Sequence, residues 1–214
     1  MKKTFKILGI IAFVLFTMFC IVLTFFNVSH IYYKVYGPSM SPTLNEGVTI
    51  SLECKDAVLV SKIKSYTRGD IIVIDKLEKD EQGNEKYVIK RLIAEGGDKI
   101  TIRKIEGYYR IIIVKYDSTG ETIVSEPYID DYSINENLYN KFNSMVLNMG
   151  DKYDGEYLTI AEDEVFYLGD NRANSLDCSV YGPTKRENVV GKVDYIVYGD
   201  QNMYFQVLKQ VFGW

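Results

Sequence analysis

Tyr87-Val88-Ile89-Lys90-Arg91-Leu92-Ile93 is an apolar run interrupted by two adjacent cations. Its length and its β-branched and aromatic residues mark it as a strand. Side chains on a strand alternate between faces, so Lys90 shares a face with Val88 and Leu92, and Ile89 and Arg91 point the other way. Most lysines snorkel to water or pair with a carboxylate. One held among aliphatic neighbours is costly to charge, and its pKa falls.

The same pattern extends in both directions. Val48–Leu52, Ala57–Ile63 and the fully apolar Ile71-Ile72-Val73-Ile74 read as strands, the last one buried. The polar loop at 80–85 makes Ile71–Ile74 and Tyr87–Ile93 a hairpin. Ile100–Ile105 and Tyr108–Tyr116 form another through Glu106-Gly107. Leu158–Ala161, Val165–Leu168 and Val189–Tyr198 are further strands, Leu138–Leu147 a short helix, and Tyr204–Trp214 an amphipathic aromatic tail. With 18 tyrosines and 4 prolines the soluble part is expected to be mostly β.

Upstream, Gly37-Pro38-Ser39-Met40-Ser41-Pro42-Thr43-Leu44 places a serine between strong breakers, at the end of an extended segment from Val35. Serines beside prolines are usually plain turn residues. A serine hydroxyl becomes a nucleophile only with a base in hydrogen-bond reach. The single histidine, His30, sits at the membrane edge just after the apolar N-terminal run, which excludes a Ser-His-Asp arrangement in the outer domain. A desolvated Lys90 is the available base. A Ser-x-x-Lys hydrolase is excluded as well, because the third residue after Ser39 is Pro42.

From Ile7 to Phe26 every residue is apolar or small except Thr17 and Thr24, the length of a bilayer-spanning helix. Lys2, Lys3 and Lys6 precede it, so the positive-inside rule keeps residues 1–6 cytoplasmic and delivers 27–214 to the outer side. The run is longer than a signal-peptide core, and Asn27-Val28-Ser29-His30 is a poor small-x-small cleavage site, so a retained anchor is expected.

The chain has 214 residues and a net charge of −4, which gives one domain of ordinary size after the anchor and argues against nucleic acid as a partner. Cys20, Cys54 and Cys178 form no Cys/His cluster, so no metal is expected; a Cys54–Cys178 bridge is conceivable only if the fold brings the two together. Gly169-Asp170-Asn171-Arg172-Ala173-Asn174-Ser175-Leu176-Asp177 is dense in short polar side chains between strand-like segments. It suits a loop that orients reactive groups, or simply a capped turn.

Together these segments resemble bacterial type I signal peptidase of the Gram-positive kind, a membrane-bound Ser/Lys protease that removes signal peptides. The resemblance covers the anchor, the Ser39 turn, Arg68-Gly69-Asp70-Ile71-Ile72-Val73, Lys90 to Asp98, Gly169 to Asp177, and Val190-Gly191-Lys192-Val193. It implies a mostly β fold of several coiled antiparallel sheets behind a single transmembrane helix. It implies Ser39 as nucleophile, Lys90 as general base, and the Ser39 N–H as an oxyanion donor. Ser175 would hydrogen-bond the Lys90 amine and Asp177 would support it. Val35, Tyr36, Met40, Leu44, Val88 and Ile89 would wall the pockets for small side chains at small-x-small sites. No cofactor is implied. The implied partners are signal-peptide-bearing preproteins, membrane lipid and the secretion translocon.

The chain departs from the family pattern in three places. Gly37 stands where some relatives carry a second hydroxyl, Cys178-Ser179 replaces serine-arginine, and Gly96-Gly97-Asp98 replaces Pro-Gly-Asp. The second change leaves Asp177 without its arginine, with Arg172 or Arg186 as candidates to replace it; the third implies a looser turn. A self-cleaving repressor would share the Ser/Lys chemistry but carry a DNA-binding domain in place of the anchor. A membrane-anchored assembly or chaperone protein for surface pili, built on the same scaffold, is the alternative from another class. Such a scaffold need not keep the serine and lysine, and this chain has both.

Overall fold

The computed structural model describes residues 2–50, 52–79, 83, 85–129 and 135–199. The tail at Tyr204–Trp214 lies outside them. Helix α1 (Lys2–Ser29) comes first. Its segment Phe5–Ser29 is long and apolar enough to cross a membrane, is exposed along most of its length, and meets the domain at its C-terminal end. Those 25 residues rise about 37 Å. The hydroxyls of Thr17 and Thr24 donate to the helix's own carbonyls, Val14 O and Cys20 O, each at 2.8 Å, so neither leaves an unmet polar group on the apolar surface. The helix runs past the expected limit of Phe26. It ends where the Ser29 hydroxyl reaches back to Phe26 O and Ser29 O accepts from Lys62 N at 2.9 Å.

The remainder is two antiparallel sheets. The larger is built from β1 (His30–Tyr36), β2 (Cys54–Ser61), β3 (Ile71–Lys79), β4 (Glu85–Glu95), β9 (Glu164–Leu168), β10 (Thr184–Lys185) and β11 (Val189–Val197). Its seven strands run in the order β1-β2-β11-β3-β4-β9-β10. The smaller contains β5 (Lys99–Ile105), β6 (Tyr108–Val114), β7 (Glu121–Ile123) and β8 (Leu158–Thr159), in the order β7-β6-β5-β8. Among the described residues two further α-helices complete the domain, α2 (Asn135–Val146) and the short α3 (Cys178–Tyr181).

The main core lies where both sheets and α2 meet: Ile72 and Ile74 of β3, Leu92 of β4, Ile100 and Ile111 of the β5–β6 hairpin, Phe142 of α2, and Phe166 of β9. Burying each such side chain contributes roughly 1.5–3 kcal/mol. A second cluster gathers Val35, Met40, Leu44, Val58, Val60 and Val73 behind the serine turn. The chain therefore anchors that turn from below with apolar weight as well as hydrogen bonds.

Two expected strands differ. Val48–Leu52 is not a strand: Val48 N bonds Asn45 O and Glu53 N bonds Ile50 O, so local turns satisfy the backbone that a neighbour would otherwise pair. The extended segment from Val35 stops at Tyr36, because Gly37 takes φ +76°, a left-handed conformation that suits glycine and ends the strand. The turn at Gly96-Gly97 is not loose either. A side chain on Gly96 would begin 2.2 Å from the carbonyl oxygen of Glu162. The turn is also tied by Asp98, which is fully buried and accepts from Glu95 N and the Arg68 guanidinium.

Candidate active site

Ser39 lies just beyond the edge strand β1, in a turn held from two directions. From below, the fully buried Asn45 donates its amide to Val35 O at 2.8 Å and Gly37 O at 3.0 Å. Its Oδ1 accepts from Lys55 N and Asp56 N, and its own N–H donates to Asp56 Oδ2 at 2.6 Å. From above, Asn171 N donates to Ser39 O and Asn171 Nδ2 donates to Pro38 O, both at 3.1 Å. One asparagine therefore fixes each side of the serine. Asn45 has φ +55°, which asparagine tolerates better than most residues. Its position after Pro42-Thr43-Leu44 was the signal in the sequence, and sequence reading passed over it.

Lys90 sits on β4, paired with Ile72 of β3, and is only 3% exposed. Its Nζ donates to Ser39 Oγ at 2.8 Å and to Ile89 O at 2.9 Å. Desolvation is the largest influence on the amine and pulls its pKa down to about 8; Asp177 and Asp170 oppose the shift and Lys76 adds to it. Leu92, expected on the same face as Lys90, belongs to the main core. Arg91 points away, as the alternation requires. It is itself buried, giving Nε and Nη2 to the Asp170 carboxylate at 2.8 and 2.6 Å and Nη1 to Gly69 O at 2.7 Å. Thr43 Oγ1 donates to the same Asp170 at 2.6 Å. The two cations of Tyr87–Ile93 thus divide their work: Lys90 faces the serine, and Arg91 braces the loop that covers it.

That loop runs from Gly169 to Asp177. A side chain on Gly169 would begin 2.4 Å from Ser39 O and 2.3 Å from Ser175 Oγ, so only glycine permits the approach. The Ser175 hydroxyl is buried and, among the described residues, has no hydrogen-bond partner; the expected bond to Lys90 is not made here. Asp177 accepts from Gly169 N at 2.9 Å through Oδ2. Through Oδ1 it accepts from Ser179 N at 3.0 Å and Ser179 Oγ at 2.7 Å, capping α3. Neither Arg172 nor Arg186 serves Asp177. Arg172 pairs with buried Glu126 and Arg186 with Glu95. The serine standing in the arginine's place supplies the hydroxyl instead. Cys178 is buried, Cys54 exposed, and both are free thiols, so the bridge between them is not formed.

A cavity of about 140 Å³ opens beside Ser39 and Lys90, walled by Val35, Tyr36, Met40, Val73, Val88 and Ile89 together with Tyr33, Lys34 and Tyr87. It has room for small side chains only. Leu44 is not among its walls. It is fully buried in the cluster with Val58 and Val60, because Leu44 N turns back to Met40 O at 2.9 Å and carries the side chain inward. Val73 was missed from sequence because it reaches the cavity from β3, across the sheet from β4.

A serine hydroxyl in contact with a dehydrated amine, beside a small apolar slot, can carry out acyl transfer. Known proteins resemble the chain over most of its length. Residues 4–198 match the family model described as signal peptidase, peptidase S26. Signal peptidase I U of Bacillus subtilis is 28% identical over 207 residues, covering 92% of this chain and 91% of the relative. Signal peptidase I of Bacillus caldolyticus is 29% identical over 195 residues, covering 89% and 92%. Signal peptidase I of Aquifex aeolicus is 28% identical, covering 78% and 75%.

Proposed function

Because the chain belongs to the signal peptidase family, peptidase S26, and is a membrane-anchored signal peptidase acting on signal-peptide-bearing preproteins, we propose that Ser39 is its nucleophile and Lys90 its general base. The observation that carries this reading is the 2.8 Å contact between Lys90 Nζ and Ser39 Oγ in a site that leaves the lysine 3% exposed. In the neutral form the amine accepts the Ser39 proton as Oγ attacks the scissile carbonyl carbon. The oxyanion is met by the Ser39 backbone N–H; Gly37 supplies no hydroxyl to help it. The resulting ammonium passes its proton to the leaving amine, the new N-terminus of the mature protein. Water, deprotonated in turn by Lys90, then releases the signal peptide from Ser39.

Ser175 and Asp177 are positioning residues in this scheme. In it the Ser175 oxygen, without a partner among the described residues, accepts an N–H of the amine and leaves the lone pair to Ser39, and Asp177 favours the ammonium after proton transfer. Val35, Tyr36, Met40, Val88 and Ile89 admit the small residues of a small-x-small site. The lysines before the apolar run, Lys2, Lys3 and Lys6, orient the N-terminus to the cytoplasm, with residues 7–26 in the bilayer and 27–214 outside, where lipid and the secretion translocon are neighbours. From His30 the seven residues of β1 extend at most about 23 Å, so Ser39 works close to the membrane surface.

The test uses the full chain in detergent with a labelled preprotein and sequencing of the new N-terminus. Cleavage after a small-x-small site is expected, and Ser39→Ala and Lys90→Ala should each abolish it while circular dichroism stays unchanged. Full cleavage by either variant would remove that residue from its role. A chaperone for pilus assembly would bind without cutting; the Ser39–Lys90 contact favours the enzyme.

A further inference from the structure

Two cavities meet at Ser39, and they differ in chemistry. The small one described above is walled mostly by aliphatic, methionine and tyrosine side chains. The other, about 570 Å³, lies beyond Tyr36 and is lined by Lys76, Glu78, Lys86, Asn174, Leu176 and Tyr181 as well as by Ser39 and Lys90. Their order along a substrate follows from the anchor. The apolar part of a signal peptide lies in the bilayer, and β1, whose Tyr33–Val35 wall the small cavity, leads directly from α1. Residues before the scissile bond therefore take the small apolar cavity. Residues after it, the start of the mature protein, leave through the large one.

The large cavity is cationic near the serine. Lys86 and Glu78 form one exposed pair at 3.6 Å, which leaves both largely solvated. Lys76 projects over the Tyr181 ring, its Nζ 4.5 Å from the centroid, and among the described residues no carboxylate is paired with it. It is also near enough to Lys90 that the two charges repel. A carboxylate entering here would gain a partner in Lys76. A further cation would join Lys76, Lys86 and the Lys90 ammonium in one space.

We propose that Lys76 is a specificity-determining residue that favours preproteins carrying an acidic side chain within the first few residues after the cleavage site. This rests on the reading of Ser39 and Lys90 as the cleaving pair, and the experiment separates the two. Preproteins with Glu, Ala or Lys placed in turn at each of the first few positions after the bond are cleaved by the full chain and by Lys76→Met and Lys76→Glu. The readout is the ratio of kcat/KM between substrates for one enzyme, in which any effect of Lys76 on the base cancels.

The native chain should cleave the best-placed Glu substrate about threefold to fivefold faster than its Lys counterpart, the size of an exposed ion pair. The preference should fade at high salt, disappear in Lys76→Met and reverse in Lys76→Glu. The same ratio in all three enzymes overturns the proposal, as does a native chain that cleaves the Glu, Ala and Lys substrates equally. Failure to cleave any of the substrates would instead overturn the reading beneath it.

Discussion

Gly169 packs against Ser39 so closely that a methyl group on it would stand 2.4 Å from the Ser39 carbonyl oxygen. That oxygen is also where Asn171 N anchors the serine turn. The Ser175 hydroxyl beside it can rotate away, but the Ser39 carbonyl is backbone and Ser175 Cβ stands 2.7 Å off, so a methyl there must push the backbone of the nucleophile. Gly169→Ala is expected to lower kcat at least tenfold. Its stability cost should be about 1–3 kcal/mol, the range for overpacking a tight site. Cleavage assays beside thermal melts check this; unchanged kcat would mean the loop yields without moving Ser39.

The pH dependence follows from the buried amine. Lys90 works as a base only when neutral, and its pKa stands at about 8. The neutral fraction grows as pH rises through that value, so kcat/KM should climb and then level above it. Lys76 contributes to the depression. Replacing it by Met therefore raises the Lys90 pKa and moves the limb to higher pH. A limb that stays in place in Lys76→Met, or one that falls with rising pH, would contradict this assignment.

The same burial costs stability. The amine takes up its proton near 8 in the folded state and near 10.5 when free. Below 8 both states are protonated and the folded chain bears the full penalty, on the order of 3 kcal/mol. Between the two values the unfolded chain holds the extra proton, so stability recovers as pH rises. Lys90→Met should thus be inactive yet more stable at pH 7, with a gain that shrinks toward pH 10. Melting temperatures of the two proteins across that range decide it; a Met variant less stable at neutral pH would show that the amine's hydrogen bonds outweigh its desolvation.

The joint between membrane and domain is also built from named groups. The Phe26 ring stacks on His30 with centroids 4.5 Å apart. His30 Nδ1 meets Ser29 Oγ at 2.8 Å and Nε2 meets Asp194 Oδ2 at 3.2 Å, while Lys64 reaches that oxygen at 2.8 Å. Asp194→Asn weakens both contacts at once. Processing of a preprotein embedded in vesicles should fall a fewfold, because the domain is less firmly set over the bilayer, and cleavage of a short soluble peptide should not change. Equal losses on both substrates would assign Asp194 to the fold of β11 alone.

Periodicity and composition were enough for much of this protein. The apolar run at Ile7–Phe26 is long enough to span a bilayer as a helix and has almost no side chain that seeks water. Tyr87–Ile93 could only be a strand with Lys90 and Arg91 on opposite faces, and Gly37-Pro38 could only break one. The legible information was local: which residues share a face, and where the chain must turn. Two expectations failed for a common reason. Leu44 was placed in the substrate pocket, and Arg172 or Arg186 on Asp177, and each depended on where a side chain goes after a turn.

What the sequence determined by itself was the anchor, the β character, and the presence of a serine and an apolar-flanked lysine. What only the tertiary structure decided was their meeting. Ser39 and Lys90 are 51 positions apart, and their contact is set by Asn45, Asn171 and Gly169 reaching the same turn from separate parts of the chain. Such contacts follow from packing and hydrogen-bond geometry across strands distant in sequence, which no local periodicity encodes.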